Sequence, residues 1–175
     1  QVLIDLQRCG YVATGQSAEQ INRLIQAEAQ GATDLLAALA DIGEHAALPP
    51  VQSALRYQIG RCRERIFRLL GLLYDRQTIL QARDSIVSGS AQQQAYGFEV
   101  LELLLSPTLK RLVLPLCDRQ PPQIQLQQLA SALTVEALGR PQRLALLAGG
   151  SPQHWIATCA RYARHQLGLE LQGDL

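Results

Sequence analysis

The chain has 175 residues, 47% of them apolar and 18% charged, with a formal net charge of +1. Those values exclude a disordered chain and an obvious polyanion binder, and the length suits a single domain with a core of its own. Only two Phe, five Tyr and one Trp are present. The core must therefore come from Leu, Ile, Val and Ala, which favours closely packed helices.

Apolar residues recur at three- and four-residue intervals in segment after segment, and alternating strand patterns are almost absent. The spacing predicts helices at 2–11, 18–30, 33–43, 50–74, 76–88, 91–105, 107–117, 123–133, 134–148 and 152–167. Ser17 with Gln20 has the form of a capping box ahead of Ile21, Leu24 and Ile25. Pro49-Pro50 can open the long central helix, where a missing N–H costs nothing. Asp75, Ser90 and Ser106 are placed to cap the next three helices. Pro121-Pro122 breaks the chain, and Gly149-Gly150 reads as a helix stop before Ser151-Pro152.

Short links between such helices imply antiparallel neighbours. Residues 75–105 and 107–147 read as successive hairpins, each too small to bury its apolar face alone, which is the logic of a repeat array. The expected organisation is one domain over 1–175, with acidic N-terminal helices over 1–48 and repeat-like hairpins over 49–175. The sequence has no Met, even at position 1, so the chain is expected to be a segment of a longer protein. No secretory pattern occurs before residue 20. The longest apolar runs, 66–74 and 100–105, are too short to span a bilayer.

The stretch Arg61-Cys62-Arg63-Glu64-Arg65-Ile66-Phe67-Arg68-Leu69-Leu70 continues through Leu73-Tyr74, Ile79, Ala82 and Ser88-Gly89. Further on come Ala95, Glu99-Val100-Leu101-Glu102, Leu112 and Pro115-Leu116, and the closing helix reads Trp155-Ile156-Ala157-Thr158-Cys159-Ala160-Arg161-Tyr162-Ala163. This pattern, over residues 60–168, resembles the HEAT-like repeat region of some bacterial membrane proteins. There the repeats adjoin a transporter-like segment related to the ATP/ADP translocases, sometimes with a cyclic-nucleotide-binding domain. The resemblance implies an all-α, HEAT/armadillo-like α-solenoid of antiparallel helix pairs, with an irregular helical bundle as the alternative. It also implies a cytoplasmic location, on the cytoplasmic face of a membrane where the parent protein is anchored. Gly97 inside a helix and the Gln-rich segment 123–128 depart from the repeat pattern.

Charge is unevenly distributed. Residues 51–83 hold Arg56, Arg61, Arg63, Arg65, Arg68, Arg76 and Arg83 against Glu64 and Asp75, whereas residues 1–50 are predominantly acidic. Arg61, Arg65 and Arg68 form a stripe at four- and three-residue spacing beside the apolar stripe of the central helix. One reading is an exposed Arg ridge, extended by Arg56, that grips carboxylates, phosphates or anionic headgroups. The other is a solvated face paired in cis with the acidic N-terminal helices, which the near-neutral total charge favours. Trp155 is either a binding hot spot or a residue packed under the preceding helix pair.

Little points to catalysis. His154 and His165 share a helix but sit about 16 Å apart, too far for one metal, and His45 beside Glu44 reads as a surface pair. His154 with Thr158 or Cys159 lacks a nucleophile elbow, and Glu99 with Glu102 reads as a solvent-facing helix edge. Cys9, Cys62, Cys117 and Cys159 lie far apart without metal-ligand spacing; the even count permits two disulfides, but a chain of this size without a secretion signal favours buried reduced thiols. No phosphate-loop or dinucleotide fingerprint occurs, so no cofactor is implied. Nucleic-acid binding is disfavoured, because neither a strong basic excess nor stacking aromatics are present. The sequence therefore leads to a non-catalytic interaction or regulatory module that contacts a protein partner or another domain of its own polypeptide, with membrane contact through the parent. The alternatives are a HEAT-type bilin lyase or isomerase and a small-molecule-sensing helical domain.

Overall fold

The computed structural model describes residues 13–150 and 153–169. These form eight α-helices and, among the described residues, no strand. They are α1 (Gln16–Ile42), α2 (Pro49–Leu73), α3 (Arg76–Ser88), α4 (Ala91–Leu104), α5 (Pro107–Cys117), α6 (Pro122–Leu129), α7 (Arg140–Gly150) and α8 (His154–Gln166). The helix expected over 2–11 and the Ser151-Pro152 opening of the last helix lie outside the described residues. No described helix is long and apolar enough to cross a membrane.

The helices expected at 18–30 and 33–43 are one continuous rod, α1. Gly31 weakens a helix interior by about 1 kcal/mol relative to Ala, but Ala29, Ala32, Leu36 and Leu39 on either side of it are buried. Tertiary burial of that stripe carries the helix across the weak point. The Ser17 capping box does not form: α1 begins at Gln16 behind Gly15, whose φ of 55° is a conformation that glycine adopts without strain. The other caps form as the sequence implies. Asp75 accepts from the Thr78 N–H at 2.8 Å, Ser90 and Gln93 complete a reciprocal capping box, and Ser106 accepts from the Leu109 N–H.

Three bonds fix α1 and α2 as antiparallel neighbours along their whole length. Gln52 donates to the Gly43 carbonyl at 2.7 Å near the hairpin turn, Arg65 meets Glu28 midway at 2.7 Å, and the Ala13 N–H donates to the Leu72 carbonyl at 2.7 Å at the far end. Around this pair the other helices assemble. α3 pairs with α4, and α7 pairs with α8; α1 also meets α5, α6 and α7, while α2 meets α3, α5 and α8. One core cluster runs from Ala13 in front of α1 to Ala163 in α8.

The two departures from the repeat pattern have physical causes. A Cβ at Gly97 would lie 2.8 Å from Ile86 Cγ1 and 2.9 Å from the Ala82 carbonyl oxygen. The glycine therefore permits α3 and α4 to approach closely. In the Gln-rich segment, Gln125 is 2% exposed and donates to the carbonyls of Pro115 at 2.8 Å and Asp118 at 2.5 Å, closing the C-terminal end of α5.

The helix expected over 134–148 begins only at Arg140, because residues 130–139 lie along α1 as a strap. Gln30 and Thr134 exchange two hydrogen bonds, at 2.9 and 3.3 Å, and the Leu138 N–H donates to Asp41 at 3.1 Å. Those backbone groups are spent on α1 instead of on a helix. At the end of the strap the Arg143 guanidinium sits 2.7 Å from Asp41, with side chains only 6% and 11% exposed. Arg140 donates to the Ile42 carbonyl at 2.5 Å, satisfying a C-terminal group of α1 that has no partner within its own helix.

Two stability outcomes follow. Gly97→Ala is expected to destabilise the protein by about 1–3 kcal/mol through overpacking, whereas Gly31→Ala, which meets nothing within 4 Å, is expected to stabilise it by about 0.5–1 kcal/mol. Urea denaturation followed by circular dichroism checks both signs. Arg143→Met leaves the Asp41 carboxylate buried beside a single N–H and is expected to cost about 3–5 kcal/mol. The double variant Asp41→Leu/Arg143→Met should lose less than the two single losses together, measured in the same denaturation series.

Candidate functional site

The sequence-predicted residues Arg56, Arg61, Arg65 and Arg68 lie along α2, and Trp155 lies in the first turn of α8. They do not act as one ridge. Arg65 is spent within the chain: its Nε meets Glu28 of α1 at 2.7 Å and its Nη2 donates to the Cys62 Sγ at 3.3 Å. The Glu28 contact raises the Arg65 pKa above the ordinary arginine value. This is the cis pairing that the acidic N-terminal region supplies. Arg56, Arg61 and Arg68 remain exposed.

Trp155 is neither packed under a helix pair nor isolated. Its ring meets Tyr57 of α2 edge-to-face, with centroids 5.4 Å apart and planes at 81°. Both rings stay open to solvent, Trp155 at 41% and Tyr57 at 59% exposure, and with Ser53 they line a shallow cleft. Large aromatics left this exposed on a body with so few of them form a conspicuous apolar surface. Helical spacing places Arg56 and Arg61 on either side of Tyr57.

Tyr57 also stands at the mouth of a second, deeper feature. A cavity of about 420 Å³ opens between α2, the C-terminal end of α3 and the end of α5. Phe67, Ile86, Val87 and Cys117 supply its apolar walls, and Arg61, Arg63, Arg119 and Glu64 its polar groups. Arg119 is held in place by donating to the carbonyls of Val87 at 2.5 Å and Ile86 at 3.4 Å. Glu64 lies 3.4 Å from Arg83, which also pairs with Asp84 at 2.7 Å. The Arg63 Nε is buried without a hydrogen-bond partner, and burial lowers the Arg63 pKa below the ordinary arginine value.

Three of these residues were missed at the level of sequence. Arg63 shares a helical face with Gly60 and Phe67, so its spacing held a signal. Arg119 follows a helix end with no periodicity to mark it, and nothing links Tyr57 to Trp155 along the chain.

The other residues weighed for chemistry make local contacts. The Thr158 hydroxyl donates to the His154 backbone carbonyl at 3.0 Å, and the His45 Nδ1 accepts from the Ala47 N–H at 3.2 Å in its own turn. Glu99 and Glu102 are exposed on α4. Among the described residues, no three of His, Cys, Asp or Glu stand close enough to share a metal ion. Cys62 and Cys117 are buried free thiols, and Cys159 is half-buried. Burial pushes the Cys62 thiol up to about 11 and the Cys117 thiol up to about 12. Cys9 lies outside the described residues.

Compared with family models, with curated proteins and with solved structures, the chain matches none.

Native alkylation with iodoacetamide at pH 8, read by peptide mass spectrometry, is expected to label Cys159 ahead of Cys62 and Cys117. Labelling of all three at equal rates would mean that the α1–α2 and α2–α5 seams open readily.

Proposed function

We propose that this chain is a non-catalytic interaction module whose recognition face is the α2–α8 surface carrying Tyr57, Trp155, Arg56 and Arg61. The observation that carries this reading is the edge-to-face pair: two large aromatics held in register by two packed helices and left open to solvent. Rigid aromatics present contact area at low entropic cost, and Trp, Tyr and Arg dominate interface hot spots. The flanking guanidinium groups fit a partner whose apolar anchor is bordered by carboxylates, so the preferred occupant is an acidic segment of another protein or of another domain of the parent polypeptide.

The architecture we favour for this module is a closed helical bundle. In a solenoid each repeat touches only its neighbours, whereas α7 and α8 return to pack on α1 and α2. The antiparallel pairs that suit a HEAT-like reading are retained as local units. Closure is what places α8 beside α2 and creates the aromatic pair.

Peptide-display selection against the purified chain tests the reading. Binders enriched in Asp and Glu next to an aromatic or Leu are expected, and Trp155, the sole tryptophan, reports their binding by its fluorescence. Tyr57→Ala or Arg61→Glu should weaken these peptides about tenfold or more, as loss of a hot-spot contact does. Selected peptides without acidic bias, or with affinities indifferent to both substitutions, would overturn it.

A further inference from the structure

We propose that the cavity between α2, the end of α3 and the end of α5 binds a small organic carboxylate with an apolar body. The site adjoins the Tyr57–Trp155 surface and shares Tyr57 and Arg61 with it, but Arg63, Arg119 and the apolar walls belong to the cavity alone and Trp155 does not line it.

The charge balance inside the cavity comes first. Three guanidinium groups, Arg61, Arg63 and Arg119, line it against one carboxylate, Glu64, and that carboxylate also faces Arg83. Cys117 at the wall does not compensate, because its buried thiol stays protonated. The cavity is therefore electropositive.

Hydrogen bonding adds a second, separate indication. A buried polar group on a cation that lacks a partner is costly, and native structures rarely leave one without reason. The Arg63 Nε is such a group. That nitrogen is itself sealed from solvent, so an entering carboxylate would meet the part of the Arg63 guanidinium that lines the cavity, where the planar fork matches a carboxylate with two parallel bonds. Arg119, already anchored on the Ile86 and Val87 carbonyls, holds a second guanidinium at the rim without needing to be ordered on binding.

The walls decide the rest of the ligand. Phe67, Ile86 and Val87 are apolar, and the volume of about 420 Å³ falls within the range of small-molecule pockets, about 300–1,000 Å³. A bare inorganic anion would leave those walls facing water. A carboxylate bearing an aryl or short alkyl body covers them while its charge meets the arginines.

The test uses 4-phenylbutyrate and octanoate as probes, with 4-phenylbutyramide and inorganic phosphate as controls, followed by methyl ¹H–¹³C NMR of the full chain. Both carboxylates should shift the Ile86 and Val87 methyl signals, and the amide and phosphate should not. Arg63→Gln should weaken carboxylate binding about tenfold, the scale of one charge-assisted contact. Val87→Glu, at an exposed position that tolerates a polar group, should abolish binding by placing a competing carboxylate at the rim, which keeps the test decisive if Arg63→Gln does not fold. Trp155→Ala should leave carboxylate binding unchanged while removing the acidic-peptide binding described above, so the two readings fail separately. Equal shifts from phosphate, equal binding of the amide, or no shift at Ile86 and Val87 would overturn the proposal.

Discussion

The Asp41–Arg143 ion pair is the contact on which the arrangement of the molecule turns. It joins the C-terminal end of α1 to α7 across about a hundred residues of chain, at 2.7 Å and largely out of water. A buried pair of this kind gains little net stability, because desolvating two charges cancels much of their attraction. What it supplies is registry. Asp41 accepts from both Arg143 and the Leu138 N–H, Arg143 also donates to the Glu136 carbonyl, and Arg140 occupies the Ile42 carbonyl. Sliding α7 by one turn would break these bonds together and strand a carboxylate in the core.

From that registry the surface follows by rigid geometry. α8 pairs with α7 and packs on α2, so fixing α7 on α1 fixes the first turn of α8 against α2. Trp155 then meets Tyr57. The same closure leaves the neighbouring flank of α2 to α3 and α5, with the arginine-lined cavity between them. One helix therefore presents two unlike features on adjoining faces: an open aromatic edge and a recessed positive pocket, with Tyr57 bordering both.

Much of the fold was legible because the signals were local. Three- and four-residue apolar spacing located α2 to α5 closely, and Asp75, Ser90 and Ser106 marked helix starts whose hydrogen bonds form as expected. Where the sequence misled, long-range contacts had overruled local propensity. Gly31 looked like a break but lies in a helix held by its buried stripe. Residues 134–139 had helical spacing but spend their backbone on Gln30 and Asp41, more than ninety residues away. The site was legible only in composition. An Arg-rich central helix was evident, but which guanidinium groups are paired within the chain depends on where α1 and α5 lie, and no spacing rule carries that information.

The fate of the Arg stripe shows why linear patterns overstate function. Arg61 and Arg65 are one helical turn apart, a separation that reads as a single ridge. Glu28 removes Arg65 from it, because the α1–α2 register sets that carboxylate opposite the middle of α2. Arg61 is left exposed at the cavity that Arg63 and Arg119 also line. The chain thus neutralises one cation of the stripe with its acidic half and sets Arg61, with Arg63 and Arg119, on the side where α3 and α5 contribute apolar walls. An electropositive recess with greasy sides can select among anions in a way that an open row of arginines cannot, because only there must a ligand satisfy charge and apolar burial at once.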